Sequence, residues 1–258
     1  MSYLVDCHSH INEFNIVEIQ NILNRAQRSE VSKIIIAGTT LESSNQCTLL
    51  ANKFNSLFSG VGIHPMDIKF PVTEKTIDQL IHITQSNDKV VVVSEVGLDF
   101  MDGMPDRELQ YNAFRLQIRM ARSLNLPVIF HSREADSETL RILKEEKAFE
   151  VGGAMHYFQG DEKLAKTVID MGFFISIARP LTRLEKLQEV VSKISLNHIV
   201  VESDSAPQPF KPKRENWTEP RHVKDIANKI SELHNVSFNE VKISTYKNII
   251  ELIPKLKH

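Results

Sequence analysis

Short β-branched runs alternate with longer amphipathic stretches along nearly the whole of this 258-residue chain. Ile34–Ile36 and Val90–Val93 are continuously apolar, which is typical of parallel strands that are buried on both faces. The alternation gives eight strand–helix units without a linker or low-complexity tract between them. It therefore predicts a single α/β domain over residues 1–258, folded as a closed (β/α)8 barrel rather than an open doubly wound sheet.

The predicted elements follow from apolar spacing. The strands are expected at Leu4–Asp6, Lys33–Ala37, Leu57–Gly62, Val90–Glu95, Val128–His131, Gly153–His156, Phe173–Ile177 and His198–Glu202. The helices are expected at Val17–Arg28, Leu41–Phe54, Arg107–Leu124, Ser137–Lys147, Glu162–Met171, Leu184–Lys193, Pro220–Leu233 and Phe238–Ile253.

The composition disfavours several classes of protein. A formal net charge of −2 gives no overall attraction to a polyanion, so any nucleic-acid contact is expected to be local. Two cysteines, Cys7 and Cys47, do not make a disulfide framework and favour a reduced compartment. The first ten residues already contain a polar motif and leave no room for a signal peptide, and no apolar run approaches the roughly 20 residues that span a bilayer. We expect a cytoplasmic protein without a membrane partner, with a nuclear location left open.

Polar side chains gather at the carboxyl ends of the predicted strands, which share one rim in a parallel barrel. His8 and His10 are two residues apart, so both imidazoles lie on the same face of an extended chain. Ten histidines occur in the chain, and five of them fall on this rim. The rim residues are His8, His10, His64, Glu95, His131, His156 and Asp204.

Imidazole nitrogens and carboxylate oxygens together suit divalent ions such as zinc, manganese or magnesium. Glu95 is the natural bridge between two ions, because a shared carboxylate reduces the repulsion between them. Two ions roughly 3.5–4 Å apart suit phosphoester hydrolysis. We therefore predict two divalent metal ions, of unassigned identity, and six ligands: His8, His10, Glu95, His131, His156 and Asp204.

Taken in order, these motifs resemble those of the TatD-related hydrolases, a group of metal-dependent amidohydrolase-like barrels. The similarity is closest to the eukaryotic branch regarded as deoxyribonucleases, and it covers almost the whole chain. The matching segments are Asp6–His10, Gly62–Pro65, Ser94–Asp99, His131–Arg133, His156–Phe158, Glu202–Asp204 and Thr245–Asn248. The resemblance implies a distorted TIM barrel, divalent metals and hydrolysis of DNA phosphodiesters.

The resemblance also implies a role for each matching residue. His8 and His10 would bind the first metal with Asp204 beside it, and Glu95 would be shared. The second metal would bind His131 and His156, while His64 and Arg133 match positions at the phosphate end of the family's site. This chain has Ser94 where the family usually has glycine and Ser203 where it usually has threonine. The loop after Asp204 also departs from the family pattern, which bears on the choice of substrate.

Some of these residues also have a purely structural interpretation. His64 could be a structural turn histidine fixed by Pro65, and Arg133 could pair with Glu134 or Asp136 instead of a phosphate. The Lys211–Trp217 segment mixes cations with one aromatic ring, as in loops that track a phosphate backbone and stack on a base, but a solvated loop fits equally. Strand alternation points Cys7 away from His8 and His10, so we interpret it as a packing residue rather than a nucleophile.

The leading hypothesis is a metal-dependent deoxyribonuclease that uses a metal-activated water, with Asp204 and Glu95 as its catalytic residues. His64 and Arg133 would contact the DNA substrate. An alternative keeps the same metals but hydrolyses a carbonyl, for example in an aminoacyl-nucleic acid. A third possibility, a non-enzymatic scaffold, is disfavoured by the intact set of ligands. Exonuclease or endonuclease action, strand preference and oligomeric state are left open.

Overall fold

Eight parallel strands, hydrogen-bonded in chain order from β1 to β8, form one sheet that curls into a barrel. The computed structural model describes residues 3–257, so the ends of the predicted domain (residues 1, 2 and 258) lie outside the described range. The strands are β1 Leu4–Ser9, β2 Val31–Ala37, β3 Leu57–Val61, β4 Val90–Asp99, β5 Val128–Arg133, β6 Gly153–Met155, β7 Phe174–Ile177 and β8 Ile199–Val201. The predicted distorted TIM barrel, a single α/β domain, is confirmed.

Helices follow the strands around the outside of the barrel. They are α1 Ile16–Arg28, α2 Leu41–Lys53, α3 Glu74–Gln85, α4 Arg107–Leu124, α5 Asp136–Glu145, α6 Glu162–Asp170, α7 Glu185–Val191, α8 Val223–His234 and α9 Phe238–Leu252. Side-chain caps fix several of their starts: Thr40 caps α2 and Ser237 caps α9, each in a reciprocal pair with the residue three positions later. Helix α3 was not predicted. Within residues 3–257, none of the helices is both long and apolar enough to cross a bilayer.

The barrel closes at the end that carries the polar rim. Past the end of β8, the backbone N–H of Asp204 donates to the carbonyl of His8 at 3.0 Å. The N–H of His10 donates to the carbonyl of Ser205 at 2.7 Å. The last seam of the barrel therefore runs through the residues predicted to bind metal, and it holds Asp204 beside the two histidines of β1.

The interior below the rim is filled with apolar side chains. Inward-facing residues of seven strands form one cluster with the C-terminal segment that closes the opposite end: Val5, Cys7, Ile35, Phe58, Val91, Ile129, Ala154, Val200, Ile253 and Leu256. Cys7 is fully buried in this cluster, as its interpretation as a packing residue requires. Because the middle of the barrel is solid, a substrate can reach only the rim residues.

Four strands are longer than predicted: β2 begins earlier, at Val31, β5 continues to Arg133, and β1 and β4 also run further. Strand β1 continues to Ser9, and β4 continues past Glu95 to Asp99. The extension of β4 depends on Gly97, which has a φ of 151°. A Cβ at this position would lie 2.0 Å from the carbonyl oxygen of His131 on the neighbouring strand. Glycine therefore lets β4 and β5 approach closely beside the site.

Candidate metal centre

Glu95 lies at the middle of the polar rim, buried at the carboxyl half of β4. Its two carboxylate oxygens face different groups of imidazoles. Oε2 lies 3.3 Å from Nε2 of His8 and 3.4 Å from Nε2 of His10. Oε1 lies 3.0 Å from Nδ1 of His131 and 3.3 Å from Nε2 of His156. This is the placement that a carboxylate needs to bridge two cations.

His8 and His10 lie at the end of β1 with their Nε2 atoms 3.2 Å apart. Nδ1 of His8 is 3.1 Å from the hydroxyl of Ser94, which can accept a hydrogen bond from Nδ1–H and leave the lone pair of Nε2 free. His8, His10 and Glu95 together form a group of three side chains whose nitrogen and oxygen atoms converge closely enough to hold one metal ion. The two-residue spacing of His8 and His10 places both rings on the same face of the extended strand, which allows them to bind one ion.

Asp204 completes this side of the cluster from the loop after β8. Its Oδ1 lies 3.5 Å from Nε2 of His10 and 4.0 Å from Nε2 of His156. The backbone at Asp204 is left-handed, with a φ of 49°, and the side chain is 28% exposed. It is therefore the carboxylate of the cluster that a water molecule or a substrate can reach.

His131 and His156 are oriented by carboxylates behind them. Nε2 of His131 lies 3.1 Å from Oδ2 of Asp99, which leaves Nδ1 facing Glu95. Nδ1 of His156 lies 3.0 Å from Oε1 of Glu202, a bent contact rather than a linear hydrogen bond, and Nε2 faces Glu95. A carboxylate on the outer nitrogen fixes the tautomer with the inner lone pair free, as metal-binding histidines require.

The outer ring nitrogen of His64 faces a backbone N–H donor instead of a carboxylate. Its Nε2 lies 3.4 Å from Oε1 of Glu95, close enough to belong to a possible metal group with Glu95 and His131. However, its Nδ1 accepts a hydrogen bond from the backbone N–H of Met66 at 3.1 Å. A neutral ring that accepts at Nδ1 carries its proton at Nε2, so His64 presents a donor to the centre rather than a lone pair.

Burial and neighbouring charges shift the pKa values of this cluster in opposite directions. Burial raises the pKa of Glu95, but the charge of His156 and the hydrogen bonds from His10 and His131 outweigh it and hold that pKa well below its usual range. Burial lowers the pKa of His10, but the hydrogen bond and charge of Glu95 raise it to about 9. For His156, burial is again outweighed, by the charges of Glu202 and Glu95, and the pKa rises to about 10. The metal-free centre thus holds protons that a divalent ion would displace.

A cavity of about 680 Å³ opens beside the cluster. It is lined by Glu95, His131, His156 and Asp204 and extends over the loops after β5, β6 and β8. Arg133 lines its wall and is exposed. Within residues 3–257, its guanidinium forms no hydrogen bond or ion pair, so the pairing with Glu134 or Asp136 that the sequence left open is not formed.

The Lys211–Trp217 loop is less free than its sequence suggests. Arg214 pairs with Glu18 and with Oε1 of Glu219, the latter at 2.9 Å. The Arg214 guanidinium also lies over the rings of Phe14 and Trp217, at 5.1 and 4.8 Å. Arg214 and Trp217 therefore anchor the loop to α1 and the preceding turn instead of facing a substrate.

Sequence reasoning missed the residues that orient the ligands. Asp99 and Glu202 were seen only as parts of motifs, and Asp6 was given no role. Asp6 accepts hydrogen bonds from the backbone N–H and hydroxyl of Ser203, at 2.8 and 2.6 Å, which ties β1 to the end of β8. The available signal was spacing: Asp6 and Glu202 each precede a predicted ligand by two residues, and Asp99 follows Glu95 by four.

Comparison with known proteins places this geometry in a family. The sequence matches the family described as TatD related DNase over residues 5–254. The chain belongs to the TatD family. Among its relatives is the uncharacterized metal-dependent hydrolase YabD of Bacillus subtilis, which is 32% identical over 251 residues covering 95% of this chain and 96% of that protein.

Other TatD relatives agree in sequence and in fold. Human deoxyribonuclease TATDN3 is 29% identical over 268 residues covering 99% of this chain and 96% of that protein. The crystal structure of YJJV, a TatD homologue of Escherichia coli, superposes with a TM-score of 0.87 at 26% identity, covering 97% of this chain and 98% of that one. The expected family is confirmed, and the protein is a metal-dependent hydrolase of the TatD type with side-chain clusters that could bind metal.

Proposed function

We propose that this protein is a deoxyribonuclease that hydrolyses DNA phosphodiester bonds at a centre of two divalent metal ions. The observation that carries the proposal is the position of Glu95, whose Oε2 faces His8 and His10 while its Oε1 faces a different group, His131, His156 and His64. Two groups beside that cluster suit a phosphodiester: Arg133, which forms no ion pair within residues 3–257, and His64, which presents an N–H donor to the centre. The name of the human relative, deoxyribonuclease TATDN3, supports the same substrate.

The donor set fits divalent metals. His8, His10 and Asp204 would hold one ion, His131 and His156 the other, and Glu95 both. The inner nitrogens of His131 and His156 are free because Asp99 and Glu202 take the outer ones. Metals bound there would acidify a water molecule and offset negative charge on the phosphoryl group.

Asp204 is suited to accept the proton of the attacking water. It is the most exposed carboxylate of the cluster, and it lies on the side that opens into the cavity. Its left-handed backbone and the hydrogen bond from its N–H to His8 hold the side chain at the rim. General-base catalysis by a positioned carboxylate is typically worth about 10²–10⁴ in rate.

His64 and Arg133 are suited to bind the phosphate. The Nε2–H of His64 can donate to a phosphoryl oxygen, because Met66 holds the ring in that tautomer. Arg133 offers a planar pair of donors that matches two phosphate oxygens. A carbonyl substrate needs only one polarised oxygen, so an arginine that forms no ion pair or hydrogen bond with the described residues favours the phosphodiester over the ester or amide.

One purified preparation tests the proposal. The protein is stripped with a chelator, reloaded with zinc, manganese or magnesium, and assayed on labelled DNA, aminoacyl-tRNA and bis(p-nitrophenyl) phosphate. We expect DNA cleavage that depends on added metal and disappears in Glu95→Gln. Deacylation of aminoacyl-tRNA without DNA cleavage, under every metal, would assign the centre to carbonyl hydrolysis instead.

A further inference from the structure

The cavity beside the metal centre ends at an exposed aromatic ring. Phe210, in the loop after β8, is 77% exposed and lines the same cavity as Glu95 and Asp204. The phenyl ring lies 5.9 Å from Nζ of Lys211 and otherwise leaves apolar surface in water. An exposed ring at the open end of a charged site is suited to stack on a planar ligand.

Two cations are held together next to this ring. Nη1 of Arg179 and Nζ of Lys211 both donate to the carbonyl oxygen of Asn216, at 3.5 and 3.2 Å. Each also donates to an uncharged side chain: Arg179 to the hydroxyl of Thr218, and Lys211 to the side-chain oxygen of Gln208. One neutral acceptor therefore brings two positive charges close together without a carboxylate to offset them.

Arg183 adds a third positive charge. Burial lowers the pKa of Lys211, and the charges of Arg179 and Arg183 lower it further, so the three side chains repel one another. Arg183 ends the short turn Arg179–Thr182 that follows β7, so it lies in the same loop as Arg179. Within residues 3–257, none of the three cations forms an ion pair with a carboxylate.

Other arginines near this cluster do form ion pairs with carboxylates. Glu219 binds Arg25, Arg214 and Arg221, and Glu18 binds two of these arginines. Pairing there leaves Arg179, Arg183 and Lys211 as a separate unpaired group. A cluster of like charges without a partner costs free energy in the isolated protein, and a phosphate backbone would relieve that cost.

We propose that Arg179, Arg183, Lys211 and Phe210 form a strand platform that binds an unpaired end of single-stranded DNA. The three cations would contact backbone phosphates beyond the one at the metal centre, and Phe210 would stack on a base. The inference rests on the proposed function and specifies its substrate as a strand with unpaired bases, because a base in a duplex does not offer its face to Phe210.

Equilibrium binding tests the platform without requiring cleavage. Metal-loaded protein is titrated into a fluorescent single-stranded oligonucleotide and a blunt duplex, and Kd is measured by anisotropy at several salt concentrations. We expect Phe210→Ala to weaken single-strand binding about tenfold and to change duplex binding much less. Arg183→Gln should reduce the slope of log Kd against log salt by about 0.7, because one phosphate contact is lost.

Matched controls separate the platform from the metal centre. Phe149 is a half-exposed ring before β6, at the opposite end of the barrel, and Lys166 is an exposed cation on α6. Phe149→Ala and Lys166→Gln should bind like wild type, and all four variants should hydrolyse bis(p-nitrophenyl) phosphate equally. An unchanged Kd in both platform variants, or no single-strand binding by wild type, would overturn this inference. Strong platform-dependent binding without any cleavage would contradict the proposed function alone.

Discussion

The partner of each outer ring nitrogen determines what a histidine at the barrel mouth can do. Asp99 and Glu202 lie behind His131 and His156, and each places a carboxylate oxygen, an acceptor, beside the outer ring nitrogen. A backbone N–H lies behind His64, which must therefore accept there and donate at its inner nitrogen. The contact at the outer ring nitrogen therefore decides the role of each histidine at the barrel mouth. It leaves His131 and His156 able to bind a metal and makes His64 a hydrogen-bond donor.

Glu95→Gln is expected to disturb both metal sites. An amide keeps the shape of the side chain but has one neutral oxygen instead of two charged ones, so it cannot bridge two cations. We expect metal analysis of the purified variant to show less than one ion per chain, with the thermal unfolding curve of the metal-free protein little changed. A variant that retains both ions like wild type would show that Glu95 is not the bridge.

Asp204→Asn should separate catalysis from binding. The amide cannot accept a proton, so we expect DNA cleavage to fall by about 10²–10⁴. His8 and His10 still offer two ligands to the first ion, so some metal should be retained and oligonucleotide binding should survive. Rate, Kd and metal content are measured on one preparation, and cleavage near the wild-type rate would remove Asp204 from the role of base.

Arg133→Lys should weaken phosphate substrates more than metal binding. Lysine keeps the positive charge but loses the two parallel donors of the guanidinium. We expect a higher KM for DNA with an unchanged affinity for metal. Equal losses in both quantities would mean that Arg133 supports His131 structurally instead of contacting the substrate.

At the scale of the elements, the close approach of β4 and β5 positions the bridging carboxylate. Gly97→Ala would place a methyl group against the His131 carbonyl, in a backbone conformation that alanine disfavours. We expect the free energy of unfolding to fall by more than about 3 kcal/mol, measured by urea denaturation. Gly103→Ala is the control: its φ is 84° but nothing lies within 4 Å, so it should cost only about 1 kcal/mol.

If Gly97→Ala lowers the free energy of unfolding no more than Gly103→Ala does, then β4 and β5 can move apart without destabilising the protein. In that case β4 could shift to admit a side chain, and the placement of Glu95 would not depend on glycine. The comparison isolates the steric contact, since both positions have positive φ and differ mainly in what surrounds them.

For the whole molecule, the barrel and the cluster could be predicted from sequence because a parallel barrel brings all strand ends to one rim. His8, His10, Glu95 and His156 needed only that rule to be placed together. Asp204 lies past β8, but the seam with β1 returns it to the same place.

Other features depend on information that local patterns do not carry. The pairing of Asp99 with His131 depends on the register between β4 and β5, which reflects the glycine at position 97. The strand platform combines the loop after β7 with the loop after β8, and its Lys211 follows Arg179 and Arg183 by 32 and 28 residues. Only the folded chain shows that Arg214 forms ion pairs, while Arg183 forms none with the residues that the structure describes.

The most direct test of the account is hydrolysis of a single-stranded DNA oligonucleotide in ¹⁸O-enriched water, with metal-loaded and metal-stripped protein. Attack of water on phosphorus predicts ¹⁸O in the newly formed terminal phosphate, analysed by mass spectrometry, and none in the sugar hydroxyl. The reaction should stop without metal and in Glu95→Gln. The account would be contradicted if no divalent ion supported DNA cleavage, or if the metal-stripped protein still cleaved DNA.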